Sequence, residues 1–375
     1  MLRRLGLLTL LVATTAQARP IIGGTAAKKG DFPAVVVLDV GQGALCTGEL
    51  IDPEWILTAA HCVDPAVVGT ASQAALTASV RVHFGTVNES LDTGTVVTAK
   101  DTFFNTKFDV NNLGQFDVGL IHMSTAVTNV TPFRVNFVPA RSPVGTVVTF
   151  AGFGTRAAGG TGPAGALFVI TNRTSISCGQ NQIGNDADLM CFPSNDGKGI
   201  CEGDSGGPDL AMIDGVATVV GINSFSDTNC TAFSGSTRPD AEKAFILSHV
   251  PQIECNTDTE CDAAAAKTCF NHSCMVAPFA PTGIGTVCTG NGSCDSNECA
   301  AGPGSDKLCV SSCTVADATT CPGGFDCLDT GGGGGACWPS TSGGGGCCDA
   351  GDHGMSTMLV GIGLVALGLR RRRPA

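Results

Sequence analysis

The sequence predicts an all-β fold, and two observations carry that prediction. Short apolar runs recur from Phe32 to about Ser226, with Gly, Pro and Asn between them. Within 80–84, apolar residues alternate with Arg81 and His83, as on a half-buried strand. This pattern is typical of a sandwich or a barrel and differs from the alternating strands and helices of βαβ units.

The individual elements follow from the same pattern taken in chain order. Strands are predicted at the apolar runs 34–38, 80–84, 96–97, 118–123, 147–150, 166–170 and 216–222. A helix is predicted from Asp240 to Ile253, with Asp240 as its N-cap. The apolar positions of this helix are Phe245, Ile246, Val250 and Ile253.

The composition predicts an exported protein that does not bind nucleic acids. The 375 residues include 20 Cys and only 14% charged residues. Such a density of Cys is typical of oxidising compartments, where disulfides form and persist. The formal net charge of −12 argues against a nucleic-acid partner, because phosphate groups repel an acidic protein.

The amino terminus, residues 1–18, is predicted to be a secretory signal peptide. Arg3 and Arg4 precede an apolar run, and the stretch 16–18 (Ala-Gln-Ala) fits the small-residue pattern of a cleavage site. The general secretory route is favoured, since the rest of a twin-Arg motif is missing. Removal of the signal would leave residues 19–20 as a short propeptide.

A change of composition at Cys255 marks a second module, residues 254–340. Twelve Cys lie from Cys255 to Cys337, where apolar residues are few and Gly is frequent. Such a segment cannot build much core and must be held by disulfides. The first four Cys could form one unit, and the eight from Cys288 onward a second. The module is interpreted as a spacer, and the alternative is a module that binds substrate or cell wall.

Residues 341–375 are predicted to be a Gly-rich linker and a short transmembrane or sorting tail. Cys347 lies ahead of an apolar stretch, 355–369, which four arginines follow at 370–373. The stretch is short against the about 20 residues that span a bilayer. These features resemble the MYXO-CTERM sorting tail of myxobacteria-like Gram-negative bacteria. The resemblance implies processing near Cys347 by a sorting protease and display on the outer membrane; a plain membrane anchor is the alternative.

Three stretches carry residues suited to nucleophilic catalysis. Ser205 lies between glycines in 203–208 (Gly-Asp-Ser-Gly-Gly-Pro), which predicts a tight turn with an exposed hydroxyl. His61 lies in 58–62 (Thr-Ala-Ala-His-Cys), and Asp117 precedes the fourth apolar run. A serine needs a base, a histidine can be that base, and a carboxylate fixes the imidazole tautomer. The order His, Asp, Ser differs from the Ser, Asp, His order of α/β-hydrolases.

Together the three stretches resemble the trypsin/chymotrypsin family of serine endopeptidases. The resemblance covers about 21–253 and includes 21–24 (Ile-Ile-Gly-Gly), which is similar to the start of a mature family member. It implies two six-stranded antiparallel β-barrels and a closing C-terminal helix. It also implies hydrolysis of peptide bonds by a His61–Asp117–Ser205 triad through an acyl-enzyme.

The same resemblance assigns roles to residues around the nucleophile. The backbone N–H groups of Gly203 and Ser205 would form the oxyanion hole. A free amino terminus at Ile21 would pair with Asp204 and order the turn. Because Pro20 stands where the family usually has Arg or Lys, we hypothesise that an Xaa-Pro dipeptidyl peptidase liberates Ile21.

The resemblance further implies three disulfides and a specificity pocket. The disulfides are Cys46–Cys62, Cys178–Cys191 and Cys201–Cys230, a pairing that spacing alone could not choose. The pocket residues are Gly199 at the floor and Ile200, Ser224, Ser226 and Gly235. Since the floor carries no fixed negative charge, cleavage after apolar residues is expected, while Lys198 leaves an acidic preference open.

Several alternatives stay open on the sequence. Asp109 is the rival acid for the triad, and a Ser205–Asp240–His249 order conflicts with the β-rich pattern. A catalytically silent homologue that acts as a surface binding module, and an esterase, are the other function classes. The resemblance implies protein or peptide substrates and neither a metal nor an organic cofactor. His83 is one of five histidines interpreted as surface or packing residues.

Overall fold

The computed structural model describes residues 20–340, apart from 113, 271, 303–305, 316, 318–319 and 332–333. A distorted turn, α1 (Pro20–Gly23), leads into β1 (Thr25–Ala26). The next strands are β2 (Val35–Val40), β3 (Ala44–Asp52), β4 (Trp55–Thr58), β5 (Arg81–Phe84), β6 (Thr95–Phe104) and β7 (Gly119–Met123). Strands β2 to β7 form a closed antiparallel barrel in the order β2-β3-β4-β7-β6-β5. The prediction of an all-β fold is confirmed.

Strand β2 shows why its apolar run is unbroken. Val36 and Leu38 are fully buried in the core of the first barrel. Val35 and Val37, which alternate with them, pack on the opposite face against Phe153 of the second barrel. A strand that is buried on both faces needs apolar residues at successive positions, so the simple alternation seen in 80–84 is lost here.

Three short helices fill the connection between β4 and β5. They are α2 (Ala60–Val63), α3 (Pro65–Val68) and α4 (Gln73–Ser79). The Asp64 carboxylate accepts the N–H of Ala66 and caps α3, and the Ser72 hydroxyl accepts the N–H of Ala75 and caps α4. Helix α2, which carries His61, opens this connection directly after β4.

The second barrel differs from the expected six-stranded closed form. Its strands are β8 (Arg134–Val135), β9 (Val147–Gly152), β10 (Phe168–Thr174), β11 (Leu189–Pro193), β12 (Pro208–Ile213), β13 (Val216–Ser226) and β14 (Phe233–Thr237). Together with β1 they form one eight-stranded sheet in the order β1-β10-β9-β12-β13-β14-β11, with β8 parallel to β13. Within the described part of the chain, a single bridge from Ile176 to Cys191 joins the two ends of the six central strands, the end of β10 and β11. The chain after Thr174 turns into a disulfide-closed loop, so no longer ladder forms there.

The closing helix begins later and ends earlier than predicted. It is α5 (Lys243–His249), followed by a single 3₁₀ turn, Pro251–Ile253. The prediction of Asp240 as its N-cap is wrong, because the Arg238 guanidinium binds that carboxylate at 3.0 Å. Pro251 lacks the N–H that would continue the helix, which explains the early end.

The Cys-rich module consists of three small repeats and not of the two units expected. Its strands are β15 (Lys267–Phe270), β16 (Ser273–Val276), β17 (Cys299–Ala301), β18 (Lys307–Cys309), β19 (Ser312–Cys313), β20 (Phe325–Gly331) and β21 (Gly334–Pro339). Among the described residues of the module, single 3₁₀ turns lie at Asp258–Glu260, Ala263–Ala265 and Asn291–Ser293. Each repeat has four Cys, pairs the first with the third and the second with the fourth, and contains one β-hairpin. The disulfides are Cys255–Cys269, Cys261–Cys274, Cys288–Cys299, Cys294–Cys309, Cys313–Cys327 and Cys321–Cys337.

The third and fourth Cys of every repeat face each other across its hairpin, as Cys269 and Cys274 do. Loops of this length stabilise a fold by about 3 kcal/mol per disulfide in the chain-entropy model. An ion pair between Arg134 and Glu260 at 3.3 Å joins the first repeat to β8.

The predicted signal peptide and the sorting tail lie outside the described residues. Within residues 20–340 as described, no helix combines the length and the apolar character that a membrane crossing requires.

Candidate active site

The structure places His61 and Asp117 in direct contact at the edge of the first barrel. His61 lies in α2 directly after β4, and Asp117 lies just before β7, which pairs with β4. His61 Nδ1 is 2.8 Å from Asp117 Oδ2, and the His61 backbone N–H donates to Asp117 Oδ1 at 3.0 Å. The Ser224 hydroxyl also donates to Asp117 Oδ2, at 2.5 Å. Three donors thus fix the fully buried Asp117 carboxylate.

Asp117 changes the protonation behaviour of His61. Burial alone lowers the pKa of the imidazole, but the charge of Asp117 and its hydrogen bond outweigh burial and raise that pKa. A histidine whose protonated form is stabilised in this way can accept a proton from a hydroxyl and later donate it.

The turn that carries Ser205 packs directly against the His61 segment. The Thr47 backbone N–H donates to the Ser205 carbonyl at 2.8 Å, and the Cys62 sulfur lies 3.7 Å from the same oxygen. A Cβ on Gly206, whose φ is +80°, would lie 2.0 Å from Thr58 Oγ1, so only glycine permits this approach. Among the described residues no hydrogen bond joins the Ser205 hydroxyl to His61, and such bonds often tighten only when substrate binds.

Two backbone donors of this turn have no acceptor within the described part of the chain. They are the N–H groups of Gly203 and Ser205, whereas those of Asp204, Gly206 and Gly207 are bonded within the protein. Gly203 has φ +92°, a left-handed conformation that suits glycine. Two unpaired N–H groups beside a hydroxyl are the chemistry that stabilises a tetrahedral oxyanion.

Asp204 is fully buried and accepts only backbone donors. Its carboxylate takes the N–H of Gly154 at 2.8 Å and that of Cys201 at 2.9 Å. Burial raises the pKa of Asp204 to about 7, and the two donors lower it only in part. Ile21 is also buried, and it packs beside Ile200 in the second barrel. Because Ile21 is joined to Pro20 in this chain, its nitrogen is an uncharged amide.

A cavity of about 240 Å³ opens beside Ser205. Its lining residues are Ile200, Cys201, Glu202, Ser205, Ser224, Phe225, Ser226, Asp227, Thr228 and Cys230. Two of the expected pocket residues lie outside this lining. A Cβ on Gly235 would come within 2.3 Å of the Phe225 ring, so Gly235 makes room for that ring, and one on Gly199 would come within 2.5 Å of Ser194 Oγ.

The cavity contains two acidic residues that the sequence analysis did not include, Glu202 and Asp227. The Asp227 carboxylate accepts the N–H groups of Asn229, Thr231, Ala232 and Phe233. Burial would raise the pKa of Asp227, but these four donors outweigh it and lower that pKa. The negative charge of Asp227 is therefore already stabilised by backbone N–H groups.

The structure contains the three disulfides that the resemblance implies, Cys46–Cys62, Cys178–Cys191 and Cys201–Cys230. The first links β3 to the helix of His61. The third joins the segment before the Ser205 turn to the far wall of the cavity. Both links hold the elements that position the site.

The alternative residues for the triad, Asp109, Asp240 and His249, make other contacts. The exposed Asp109 carboxylate accepts the backbone N–H of Asn111 at 2.9 Å. Asp240 is bound to Arg238, and the His249 ring lies 4.2 Å from the Phe103 ring. None of these groups meets Ser205.

A pair of buried acids behind the site was also missed. Glu49 on β3 and Asp209 on β12 are fully buried, and none of their carboxyl oxygens has a hydrogen-bond partner within the described residues. Burial raises the pKa of Asp209 to about 8, an effect that the nearby Ser236 hydroxyl offsets only in part, without a hydrogen bond of normal geometry. Burial, and then the charge of Asp209, raise the pKa of Glu49 well above its ordinary value. The signal that could have predicted this pair was Asp209 itself, an acidic residue inside the otherwise apolar strand Pro208–Ile213.

We expect Asp209→Asn to flatten the pH dependence of stability. Between about pH 4, the ordinary carboxyl pKa, and pH 8, the folded wild type holds a proton that the unfolded chain has lost. Its free energy of unfolding should therefore fall as pH rises through this window, by up to about 1.4 kcal/mol per unit for this proton. Urea unfolding at pH 5 and pH 8, in a Ser205→Ala background, measures the slope.

The amide has no such proton, so its slope should be shallower than that of the wild type. Asp101→Asn is the control, because Asp101 is half exposed on the first barrel. Equal slopes for Asp209→Asn and the wild type would contradict the expectation.

The fold and this site define a trypsin-like serine protease domain. The sequence model of the family described as Trypsin matches residues 21–237, which is more than half of the chain. The protein therefore belongs to the trypsin family.

Known relatives agree with this assignment. Serine protease SP24D of Anopheles gambiae is 34% identical over 230 residues, which cover 60% of this chain and 76% of that protein. Brachyurin of Leptuca pugilator is 33% identical over 193 residues, which cover 50% of this chain and 80% of that protein. A solved structure of HL collagenase, 26% identical, superposes with a TM-score of 0.51 over 61% of this chain and 98% of that one.

Proposed function

We propose that the protein is a serine endopeptidase that uses Ser205, His61 and Asp117. The contact of His61 with the triply bonded Asp117, beside a serine turn with two unpaired N–H groups, carries this proposal. His61 would take the Ser205 proton as the hydroxyl attacks the scissile carbonyl. Gly203 and Ser205 would bind the oxyanion, and His61 would then protonate the leaving amine.

A fluorophosphonate probe tests this function directly. The probe reacts only with an activated serine, so it should label the protein cut before Ile21 and leave the Ser205→Ala variant unlabelled. Absence of labelling from the cut protein would favour a silent homologue that acts as a binding module. Turnover of esters without any turnover of peptides would favour an esterase.

We expect cleavage after apolar residues. The expected floor residue is Gly199, the cavity wall includes the buried Ile200, and the Asp227 carboxylate is held by backbone donors. A fluorogenic peptide library measures the preference at the position before the cut. The Asp227→Asn variant is the control, since removing its charge should leave an apolar preference unchanged. Turnover of only Lys and Arg substrates, abolished by Asp227→Asn, would contradict the prediction and assign Asp227 as their partner.

We further propose that the two ends of the chain direct its export and its location. The signal peptide 1–18 would direct export, and release of residues 19–20 would free Ile21 to pair with Asp204. The repeats in 254–340 would separate the protease from the cell surface, to which the tail 341–375 would direct it. Amino-terminal sequencing and cell fractionation of the expressed full chain measure these steps.

A further inference from the structure

We propose that Asp39, His83 and Glu89 form a binding site for a divalent transition-metal ion of the Zn²⁺ class. The three residues offer one nitrogen and two carboxylate oxygens, and these ligand atoms lie within 4.8 Å of one another. None of the three residues belongs to the active site. His83, interpreted from the sequence as a surface or packing residue, is the centre of the cluster.

The hydrogen bonds of His83 orient its ring toward the carboxylates. The ring is only 7% exposed, and its Nδ1 lies 3.0 Å from the Thr93 carbonyl oxygen. A carbonyl oxygen can only accept, so Nδ1 carries the hydrogen. Nε2 lies 3.0 Å from Asp39 Oδ2, and in the neutral ring it presents a lone pair to that carboxylate. Metal-binding histidines commonly have this arrangement, in which a backbone carbonyl fixes the other nitrogen.

The charges of the cluster call for a cation. Asp39 and Glu89 form no ion pair with Lys or Arg in the part of the chain described. Arg81 lies opposite Asp39 in the β2–β5 register, yet its guanidinium donates to the carbonyls of Ala78 and Val80. The Asp39 and Glu89 carboxylates also lie close to each other, since each offers an oxygen within the same 4.8 Å, and their negative charges repel. A cation between the three ligands would offset the repulsion between the two carboxylates and the repulsion between the Asp39 carboxylate and the Nε2 lone pair of His83.

The ligand set favours zinc over calcium. Zn²⁺ binds His nitrogen and carboxylate oxygen at about 2.0–2.2 Å, commonly in four-coordinate sites in which water can be a ligand. Ca²⁺ prefers six to eight oxygen ligands, a set that one imidazole and two carboxylates do not provide. One imidazole with two carboxylates is also a ligand set of other first-row metals, and availability selects among them.

A metal here would fasten a loop to the first barrel. Asp39 and His83 lie on adjacent strands, whereas Glu89 lies in the connection between β5 and β6. The Glu89 backbone N–H donates to the Gly165 carbonyl at 2.8 Å, so the same loop also contacts the chain before β10. The ion would therefore tie together strands of the first barrel and a loop that contacts the second.

Isothermal titration of the full chain with ZnCl₂, in a Ser205→Ala background, tests the site. The parent protein should bind one more equivalent than His83→Gln, and Glu89→Gln should weaken that equivalent at least tenfold. His122→Gln is the matched control, because His122 pairs with Asp101 on the same barrel at 3.4 Å and should keep the full stoichiometry. An anomalous diffraction peak at the zinc edge between the three ligands is the expected second observation.

Equal zinc stoichiometry and affinity in the parent, His83→Gln and Glu89→Gln proteins would overturn the proposal. So would calcium binding at this site with an affinity equal to that of zinc. If His83→Gln fails to fold, Glu89→Gln still tests the site. Glu89 is only partly buried and lies in a loop, so its substitution should weaken zinc binding without disturbing the barrel.

Discussion

Ser205→Ala and His61→Ala are each expected to lower kcat by about 10⁶-fold, and the double variant by no more than either single one. The reason is that Ser205 cannot attack the scissile carbonyl efficiently unless His61 takes its proton, and His61 has no proton to take when Ser205 is absent. The structure brings the two segments together through Cys62 and the Ser205 carbonyl without a hydrogen bond between the side chains. The double-mutant cycle therefore tests whether the two groups act as one unit.

The measurement is kcat of the protein cut before Ile21, on a peptide substrate. His122→Ala is the control, because His122 also contacts an aspartate, Asp101, but its ring stacks on Trp55 and not on a proposed triad residue, so kcat should change by about twofold or less. Urea unfolding checks that each variant is folded. Losses that multiply in the double variant would mean that His61 and Ser205 act independently, which would contradict the triad.

Cutting the chain before Ile21 is expected to raise activity by about 100-fold or more, and Asp204→Asn should abolish that gain. The cut creates an ammonium group that can pair with the buried Asp204, whose charged form burial now disfavours. Removing one partner of a buried ion pair costs about 3–5 kcal/mol, which corresponds to this change if the turn is ordered by the pair. A specific processing site in place of residues 16–20 produces the cut chain, and kcat/KM is compared before and after cutting.

A chain that begins at Arg19 is the matched control. Its ammonium group lies two residues before Ile21, so it cannot occupy the position beside Asp204 and should remain at the activity of the uncut protein. Full activity of the Arg19 chain would contradict the pairing and remove the need for an Xaa-Pro dipeptidyl peptidase. A gain that persists in Asp204→Asn would show that another group receives the new amino terminus.

The parts of the site that lie on local motifs could be predicted from the sequence. His61 and Ser205 each lie in a stretch whose neighbours define its turn or helix, and Asp117 directly precedes a strand that pairs with the strand before His61. The two buried acids whose carboxyl oxygens have no hydrogen-bond partner within the described residues could not be predicted in this way. Glu49 on β3 and Asp209 on β12 are far apart in the chain, and only the tertiary fold brings their carboxyl groups close enough to interact.

The organisation of the Cys-rich module was hidden for a similar reason. All three repeats share one pairing and one hairpin, but the spacing between successive Cys changes with the length of the loops. The cluster of Asp39, His83 and Glu89 also depends on the register of β2 with β5, which the apolar runs alone do not determine. In the closing helix, the local signal for an N-cap at Asp240 was misleading, because Asp240 binds Arg238 and the helix begins at Lys243.

The interlocked cross-links of the Cys-rich repeats set how this part of the chain responds to a pulling force. A load applied between Cys255 and Cys337 bypasses most of each loop through sulfur, so those residues stay shielded from it. The peptide that carries the load lies between neighbouring repeats, in 275–287 and 310–312, and within each repeat between its first and second or its third and fourth Cys, and it can extend by at most about 3.6 Å per residue. The array would therefore behave as a tether of limited extension until a reductant opens its disulfides.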